Sequence, residues 1–301
     1  MSCVQVFNRR EKKYLLTLAD CQVFLDALGQ ALVLDVDVDG HDGYTVRNLY
    51  LDTPDHLLIG RSIQKPYFKE KLRVRSYGSD ASVDGWCFLE IKRKLGGQVY
   101  KRRTPLTIAQ ARDFVDRSLA GGALIDGLSE KQAHHCYSCD EQIRRELTWT
   151  LGHYRRLVPD ISVNYRRCAY RYHNLRITVD RLLRYKRGSW QDFLIKPDCP
   201  DFLPLLPEGA CVLEVKGEGS MPLKIANLLN SFKIYPQSYS KVGAAYQALA
   251  VAQTTSPGGE PKRQAQTTSP GGEPKRQAQT TSPGGEPKRQ AQTTSPGNAD
   301  T

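Results

Sequence analysis

Long apolar runs are missing from this sequence of 301 residues, and so is any regular spacing of its cysteines. No stretch approaches 18 uncharged apolar residues, and the first 13 residues contain no apolar core, which argues against a membrane-spanning helix and a signal peptide. Eight cysteines without a repeated spacing do not predict a disulfide framework. We therefore expect a soluble cytoplasmic protein with reduced thiols and no membrane segment.

Two segments resemble metal-binding motifs superficially, but both lack essential ligands. Residues 35–44 are acidic like a calcium-binding loop, yet Val46 stands at the twelfth position, where that loop has a glutamate. Cys136 and Cys139 lie near two histidines, but there is no second ligand pair at a matching spacing. The pattern favours structural cysteines on a helix and argues against a calcium site.

The last 49 residues differ in composition from the rest of the chain. From Gln253 the 13-residue sequence QTTSPGGEPKRQA occurs three times and begins a fourth, with almost no apolar side chains. Such a sequence cannot bury a core, so we predict a disordered tail over 253–301 after a folded domain over 1–252. The chain has a formal net charge of +11, of which +9 lies before the tail. A basic folded domain suggests a polyanionic partner.

Hydrophobic patterning predicts many strands with helices between them. Asp20 is the expected N-cap of a helix that ends near Gly29, and Thr107 caps another. The predicted strands cover 4–16, 44–52, 57–63, 69–78, 88–94 and 98–106, and then DISVNYRRCAY, LRITVDRLL and CVLEVK. Further predicted helices cover 129–157, 222–232 and a segment from near Ser240.

Charged and apolar residues alternate one for one in at least five of these strands. Lys71, Arg73 and Arg75 share one face of their strand, because successive side chains point to opposite sides of a sheet. A single strand of this kind normally turns its polar face to water, so the repetition is the informative feature. It recurs with Arg9, Glu11 and Lys13, with Glu90, Lys92 and Lys94, with Arg176, Thr178 and Asp180, and with Glu214 and Lys216.

If helices cover the apolar faces, the charged faces must turn towards one another. This arrangement predicts an α+β fold with a closed antiparallel barrel, a charged interior and flanking helices. Burying so many like charges without a counter-charge is unfavourable, so the interior must be wet and hold an anion. Phosphate oxygens suit both guanidinium and ammonium groups. Glu11, Glu90 and Glu214 supply the hard ligands that a divalent cation bridging phosphates prefers.

Eight motifs in order are more specific than any one of them. They are REKKYLL at 10–16, LYLDT at 49–53, KLRVRSYG at 71–78, FLEIKRK at 88–94, YRRCAY at 165–170, RITVD at 176–180, LEVK at 213–216 and SYSKV at 238–242. Over about residues 5–245 the sequence resembles the VTC domain, a family of polyphosphate polymerases among the CYTH-like triphosphate tunnel metalloenzymes. The resemblance implies an eight-stranded tunnel that transfers the γ-phosphoryl group of ATP to a growing polyphosphate chain and releases ADP.

The resemblance and the alternation together assign roles to individual residues. The residues expected to act in catalysis are Arg73, Arg75, Lys92, Arg167, Arg176 and Lys241. Those expected to bind ATP or polyphosphate are Lys13, Lys71, Lys101, Tyr165, Lys216 and Ser240. Glu214, with Glu11 and Glu90, is the expected site of Mn²⁺ or Mg²⁺. Solvated strand positions for Lys101 and Lys216, and a place in the core for Tyr165, stay open as alternatives.

Two departures from the related patterns bear on the activity. The hydrolytic CYTH branch typically opens with Glu-x-Glu-x-Lys, where this sequence has Arg9, Glu11 and Lys13. A cation in place of one acidic metal ligand favours a polymerase over a triphosphatase, in which water is the acceptor. Val242 stands where the VTC family commonly has tyrosine.

A polyphosphate-binding module without catalysis is the alternative to an enzyme. Nucleic acid is disfavoured as a partner for two reasons. The basic residues alternate into an interior, and no aromatic stacking motif accompanies them.

Overall fold

The computed structural model describes residues 9–35, 43–64, 66–78, 82–119, 141–154, 156–195 and 199–255. Its strands are β1 Arg9–Thr17, β2 Leu32–Leu34, β3 Tyr44–Asp52, β4 Phe68–Tyr77, β5 Trp86–Leu95, β6 Gln98–Thr107, β7 Val158–Tyr172, β8 Leu175–Arg187, β9 Leu203–Pro204 and β10 Ala210–Glu218. Its α-helices are α1 Leu18–Leu28, α2 Leu57–Ile63, α3 Ile108–Leu119, α4 Glu141–His153, α5 Trp190–Leu194, α6 Leu223–Ser231 and α7 Lys241–Thr255. A short 3₁₀ helix spans Gly29–Ala31.

All the described elements belong to one compact unit, Met1–Gly259. Cys136, Cys139, most of the acidic segment and the repeat sequence after Thr255 lie outside the described residues, while the first three residues of the repeat end helix α7. The predictions made for them, including a domain boundary after residue 252, therefore stay predictions. Within the described ranges, no helix is long and apolar enough to cross a membrane.

The main sheet has eight antiparallel strands in the order β1-β10-β8-β7-β3-β4-β5-β6, with β2 added to β7 and β9 to β8. The eight-stranded antiparallel sheet is as predicted, but the predicted closed barrel is not found. Across the described residues β1 and β6 form no ladder, so the curled sheet is open between them. Both edge strands are rich in Lys and Arg, and β6 also contains Pro105. Like charges on facing strands and a missing backbone N–H both oppose pairing.

The predicted third strand, 57–63, is wrong, because this segment is helix α2. The preceding residues hold the first turn of the helix. The Asp52 carboxylate accepts hydrogen bonds from the backbone N–H groups of Leu58 and Ile59, both at 2.8 Å, and Thr53 Oγ1 accepts one from Leu57 at 2.9 Å. These bonds satisfy donors that have no partner within a helix. A seven-residue apolar segment cannot be assigned from periodicity alone.

The other helices follow the predictions more closely. Helix α1 begins two residues before Asp20, and its N-cap is Thr17, whose hydroxyl accepts a hydrogen bond from the Asp20 backbone at 3.0 Å. Thr107 caps α3 as predicted, with its Oγ1 3.1 Å from the backbone nitrogen of Gln110. Helix α4, Glu141–His153, occupies most of the described part of the predicted helical segment 129–157 but ends before residue 157. Helices α6 and α7 lie where helices were predicted.

Helices pack on both faces of the sheet. Helices α1 and α6 cover the apolar face of β1, β8 and β10, while α3, α4 and α5 cover that of β3 to β6. Helix α7 instead packs on the charged face, against Ile161, Val163 and Val212, and α2 contributes Ile59 to the same cluster and Leu58 to the one on the apolar face. The three strand residues share strand faces with Tyr165 and Glu214, because they lie an even number of positions away from them. One part of the charged face is therefore covered by helix, and the rest forms the candidate site.

Candidate active site

One face of the sheet gathers charged side chains from seven of the eight main strands and from the start of α7. Ion pairs between these side chains join neighbouring strands, and Arg167 on β7 also lies 3.8 Å from Glu214 on β10, two strands away in the sheet order. We call this set the charged cluster. It comprises Lys13, Lys71, Arg73, Arg75, Lys92, Lys101, Arg167, Lys216 and Lys241 together with Glu11, Glu90, Asp180 and Glu214. Nine cations against four carboxylates leave a formal surplus of five positive charges, which favours binding of an anion.

Glu214 on β10 lies at the centre of one half of the cluster. Its carboxylate is 2.7 Å from Lys216 Nζ, 3.0 Å from Lys241 Nζ and 3.8 Å from Lys13 Nζ. The side chain is only 4% exposed. Burial alone raises the pKa of a carboxyl group, but Lys216, Lys241 and Lys13 outweigh it and hold the pKa of Glu214 well below its usual range. Glu214 is therefore ionised and shared among several cations.

Asp180 on β8 is a member of the cluster to which the sequence analysis assigned no role. It is fully buried, and its two oxygens accept hydrogen bonds from Arg167 Nε at 2.6 Å and Arg167 Nη2 at 2.7 Å. Lys241 Nζ lies 2.6 Å from the second oxygen. Burial raises the pKa of this carboxyl group, but Lys241 and Arg167 lower it more strongly. The strand alternation placed Asp180 on the charged face, so this signal was present in the sequence.

Glu90 on β5 is the centre of the other half of the cluster. It is 1% exposed, and its oxygens lie 2.7 Å from Arg73 Nη2 and 2.7 Å from Lys101 Nζ. Its pKa is held below the usual range, because Arg73, Arg75 and Lys101 outweigh the effect of burial. The structure thus places Lys101 in the cluster and not on a solvated strand face. It places Glu90 as a partner of two cations.

Three cations of the cluster have no carboxylate oxygen within 4.0 Å in the described part of the chain: Lys71, Arg75 and Lys92. Lys71 Nζ donates a hydrogen bond to Ser240 Oγ at 2.8 Å, and Arg75 Nε donates one to Asn48 Oδ1 at 2.8 Å. Burial and neighbouring cations lower the pKa of Lys71 to about 8, although Tyr50 opposes the shift, and burial likewise lowers the pKa of Lys92. A lowered lysine pKa means that positive charge is held there at a cost that a bound anion can offset.

The segment before α7 joins distant strands of the site. The Ser240 hydroxyl caps α7 by accepting a hydrogen bond from Gly243 N–H at 3.2 Å, and it also accepts one from Lys71 on β4. Lys13 on β1 donates a hydrogen bond to the Tyr239 carbonyl at 3.0 Å. Strands β1 and β4 are far apart in the sheet order, so these bonds require the sheet to curl around the segment.

Tyr165 takes part in the site and in the core at once. Its hydroxyl lies 3.2 Å from Arg75 Nη2, and its ring centre is 5.0 Å from Lys241 Nζ and 5.3 Å from the Arg167 guanidinium carbon. It is 3% exposed and belongs to the apolar cluster under α7. The two interpretations considered for Tyr165 therefore both describe part of its surroundings.

Arg176 lies apart from the other predicted catalytic residues. Its side chain is 52% exposed, and its guanidinium pairs with Asp35 at 3.3 Å. It lies on β8, four residues before Asp180, and is the ladder neighbour of Lys216, but its ion pair is with Asp35 and not with a carboxylate of the charged cluster. The structure places it at the margin of the site.

The described side chains of this site supply too few oxygen atoms to coordinate a divalent cation by themselves, so a bound ligand must supply some of them. In the described ranges no group of three or more His, Cys, Asp or Glu side chains could hold a metal ion. Glu11 and Glu214 are close, since both contact Lys13 and Lys216. Thr178 lies directly opposite Glu214 in the ladder, and its buried hydroxyl has no hydrogen-bond partner among the described residues. One or two carboxylates completed by phosphate oxygens and water is an ordinary coordination for Mg²⁺, so these residues fit it.

Solved structures similar to this chain share little of its sequence. A candidate adenylate cyclase from Vibrio parahaemolyticus is 11% identical with a TM-score of 0.40, and the match covers 78% of this chain and 96% of that one. A candidate adenylate cyclase from Bacillus halodurans is 14% identical with a TM-score of 0.42 and the same coverage. A conserved hypothetical protein from Pyrococcus furiosus is 12% identical with a TM-score of 0.36, covering 77% of this chain and 97% of that one. The comparison with curated proteins gives no match.

The model of the VTC domain family matches residues 8–250, which is most of the chain. The chain therefore belongs to the VTC domain family, as the sequence motifs indicated. By family it is a triphosphate-binding tunnel protein. Its curled antiparallel sheet and its cationic face agree with that class.

Proposed function

We propose that the protein is an ATP-dependent polyphosphate polymerase. The observation that supports this most directly is the group formed by Lys71, Arg75 and Lys92, three cations on adjacent strands without a carboxylate partner among the described residues. A row of such cations can neutralise several phosphates in succession. Tripolyphosphate, the triphosphate of ATP and a polyphosphate chain all have this charge pattern.

The proposed reaction needs alignment and charge neutralisation more than covalent chemistry from the protein. A terminal oxygen of the acceptor phosphate attacks the γ-phosphorus of ATP and forms a new P–O bond. The bond from the γ-phosphorus to the β–γ bridging oxygen breaks, and ADP leaves with that electron pair. Lys71, Arg75 and Lys92 bind phosphate oxygens and stabilise the charge that builds up on them, since they are fixed before the reaction begins.

Glu214 and Glu11 are the residues that would hold Mn²⁺ or Mg²⁺ beside the bound phosphates. When bound, such an ion neutralises charge on the phosphate oxygens and orients them. Lys13 and Lys216 contact both carboxylates, so one or more of these ion pairs would have to open for an ion to bind. Lys241 and Arg167 keep Asp180 as their counter-charge, so they can stay in place.

The test is incubation of the full chain with ATP and Mn²⁺ or Mg²⁺, with products separated by phosphate length and free phosphate assayed in parallel. The proposal expects long chains with one ADP released for each phosphate added. Free phosphate without chains means that water is the acceptor and the protein is a triphosphatase. No turnover despite tight binding of polyphosphate means a module without catalysis. Either of these two results overturns the proposal.

Glu214→Gln tests the metal role separately from binding. We expect turnover to be lost while polyphosphate affinity is kept, because the substitution removes a negative charge from an anion site. Glu146→Gln is the matched control: Glu146 also bridges two arginines, Arg93 at 3.4 Å and Arg102 at 3.3 Å, but it lies on α4, which packs on the apolar face of the sheet. Undiminished activity of Glu214→Gln excludes the metal role.

A further inference from the structure

Three aromatic rings lie in a row on the charged face, on β3, β4 and β5. The ring centres of Tyr44 and Tyr77 are 5.9 Å apart, and those of Tyr77 and Phe88 are 6.1 Å apart, both in edge-to-face arrangements. The guanidinium carbon of Arg103 on β6 lies 4.6 Å from the centre of the Phe88 ring. We call Tyr44, Tyr77, Phe88 and Arg103 the aromatic row. It continues across four strands and does not belong to one local turn.

The aromatic row begins where the cations end. Tyr77 follows Arg75 by two positions on the same strand face, about 7 Å further along β4, and the Arg75 guanidinium carbon is 6.0 Å from its ring centre. Tyr44 is the ladder partner of Arg167. On β5, Phe88 precedes Glu90 by two positions and so shares its face. An anion bound by Arg75 would therefore have the row directly beside it.

These rings are not fully enclosed in the core. Tyr77 is 38% exposed, Tyr44 and Phe88 are partly exposed, and Arg103 is exposed. Neither Tyr77 nor Phe88 belongs to the three apolar clusters formed by the described residues. Aromatic surface that is exposed beside a phosphate site is suited to a planar ring attached to that phosphate. Bases stack on aromatic side chains and on guanidinium planes with little dependence on base identity.

We propose that the aromatic row binds the base of a nucleotide whose triphosphate occupies the charged cluster. The inference rests on the proposed function, since it requires a triphosphate at Arg75, and it adds the position of the nucleoside. The base would lie against Tyr77 and Phe88, with Arg103 closing the row on the side of β6. An acceptor polyphosphate has no base, so the aromatic row discriminates the phosphoryl donor from the acceptor.

The test compares two ligands that share the phosphates and differ in the base. Binding of the β,γ-imido analogue of ATP and of inorganic tripolyphosphate is measured by calorimetric titration of the full chain at one fixed Mn²⁺ concentration. The variants are Tyr77→Leu and Phe88→Leu, which keep an apolar side chain and remove the ring. We expect each variant to lose about tenfold in affinity for the nucleotide, a typical loss for one stacking contact, and less than twofold for tripolyphosphate.

Trp149→Leu is the matched control. Trp149 is 60% exposed on α4, which packs on the apolar face of the sheet, and its loss should change neither affinity. Retained tripolyphosphate binding also shows that each variant is folded. Equal losses for both ligands, or no loss for either, overturn the nucleoside site and leave the proposed function intact. If the unmodified protein binds neither ligand, the proposed function fails and the inference fails with it.

Discussion

Replacing Lys241 with methionine removes the cation that joins two buried carboxylates of the site, Asp180 and Glu214. Lys241 Nζ lies 2.6 Å from Asp180 and 3.0 Å from Glu214, and the lysine is 9% exposed. Breaking a buried ion pair costs roughly 3–5 kcal/mol, because the remaining charge is left in a poorly solvated place. Asp180 keeps both hydrogen bonds from Arg167, and Glu214 keeps Lys216 at 2.7 Å. We therefore expect the lower end of that range, about 3 kcal/mol.

This loss is measurable as a shift in thermal unfolding of the metal-free protein. For a domain of this size about 3 kcal/mol corresponds to a fall in Tm of roughly 6–12 °C. Lys224→Met, at an exposed lysine on α6, is the matched control and should change stability by less than about 0.5 kcal/mol. Lys241→Met combined with Asp180→Asn should destabilise by less than the sum of the two single changes, since both remove the same contact. A change within about 1 kcal/mol for Lys241→Met, or strict additivity, refutes the assignment of Lys241 as the shared counter-charge.

Two further predictions concern the side of the cluster around β4 and β5. Tripolyphosphate affinity should fall between about pH 7 and about pH 9, because Lys71 and Tyr50 each have a pKa of about 8 in the free protein. As the pH rises through that value Lys71 loses a positive charge and Tyr50 gains a negative one, so binding takes up protons. Lys71→Arg should flatten the dependence of tripolyphosphate affinity on pH. An unchanged pH dependence contradicts the assignment of Lys71 as a phosphate-binding cation. Glu90→Gln should lower the Tm of the free protein and enlarge the rise in Tm on adding tripolyphosphate without metal, because Arg73 and Lys101 lose their counter-charge. A smaller rise would mean that Glu90 acts in ligand binding.

The faces of the strands could be predicted from the sequence because alternation in a strand is a local property. Lys71, Arg73 and Arg75 face the same way wherever their strand lies, and Glu214 likewise faces opposite Leu213 and Val215. The partners of these residues are not local. Lys71 contacts Ser240 across 169 residues of sequence, and this contact depends on the curl of the sheet and on the position of α7. Strand alternation and the motifs therefore predict which residues share the charged face, while the contacts between those residues required the structure.

The errors have identifiable physical causes. Residues 57–63 were assigned to a strand because seven largely apolar residues fit either element, and the side chains of Asp52 and Thr53 that begin the helix lie before the segment. Asp180 received no role because its importance comes from complete burial beside Arg167, and burial cannot be deduced from alternation. The prediction of a closed barrel rests on the premise that inward-facing charges require closure. The curled open sheet brings the charges together with two basic edges left unpaired.

The charged cluster is uneven, and this unevenness bears on the orientation in which the substrate of the proposed reaction would bind. The cations on β4 and β5 that lack carboxylate partners are Lys71, Arg75 and Lys92, whereas Glu11 and Glu214 lie on β1 and β10. Under the proposed function, the first set binds phosphate oxygens on one side and Glu11 and Glu214 would hold a divalent cation on the other. A symmetric ring of paired charges would give no such preference. Under the proposed function the transferred phosphorus lies between the two sides. The base of the donor nucleotide binds to the aromatic row next to Arg75, which fixes one end of the nucleotide and thereby the position of its γ-phosphorus.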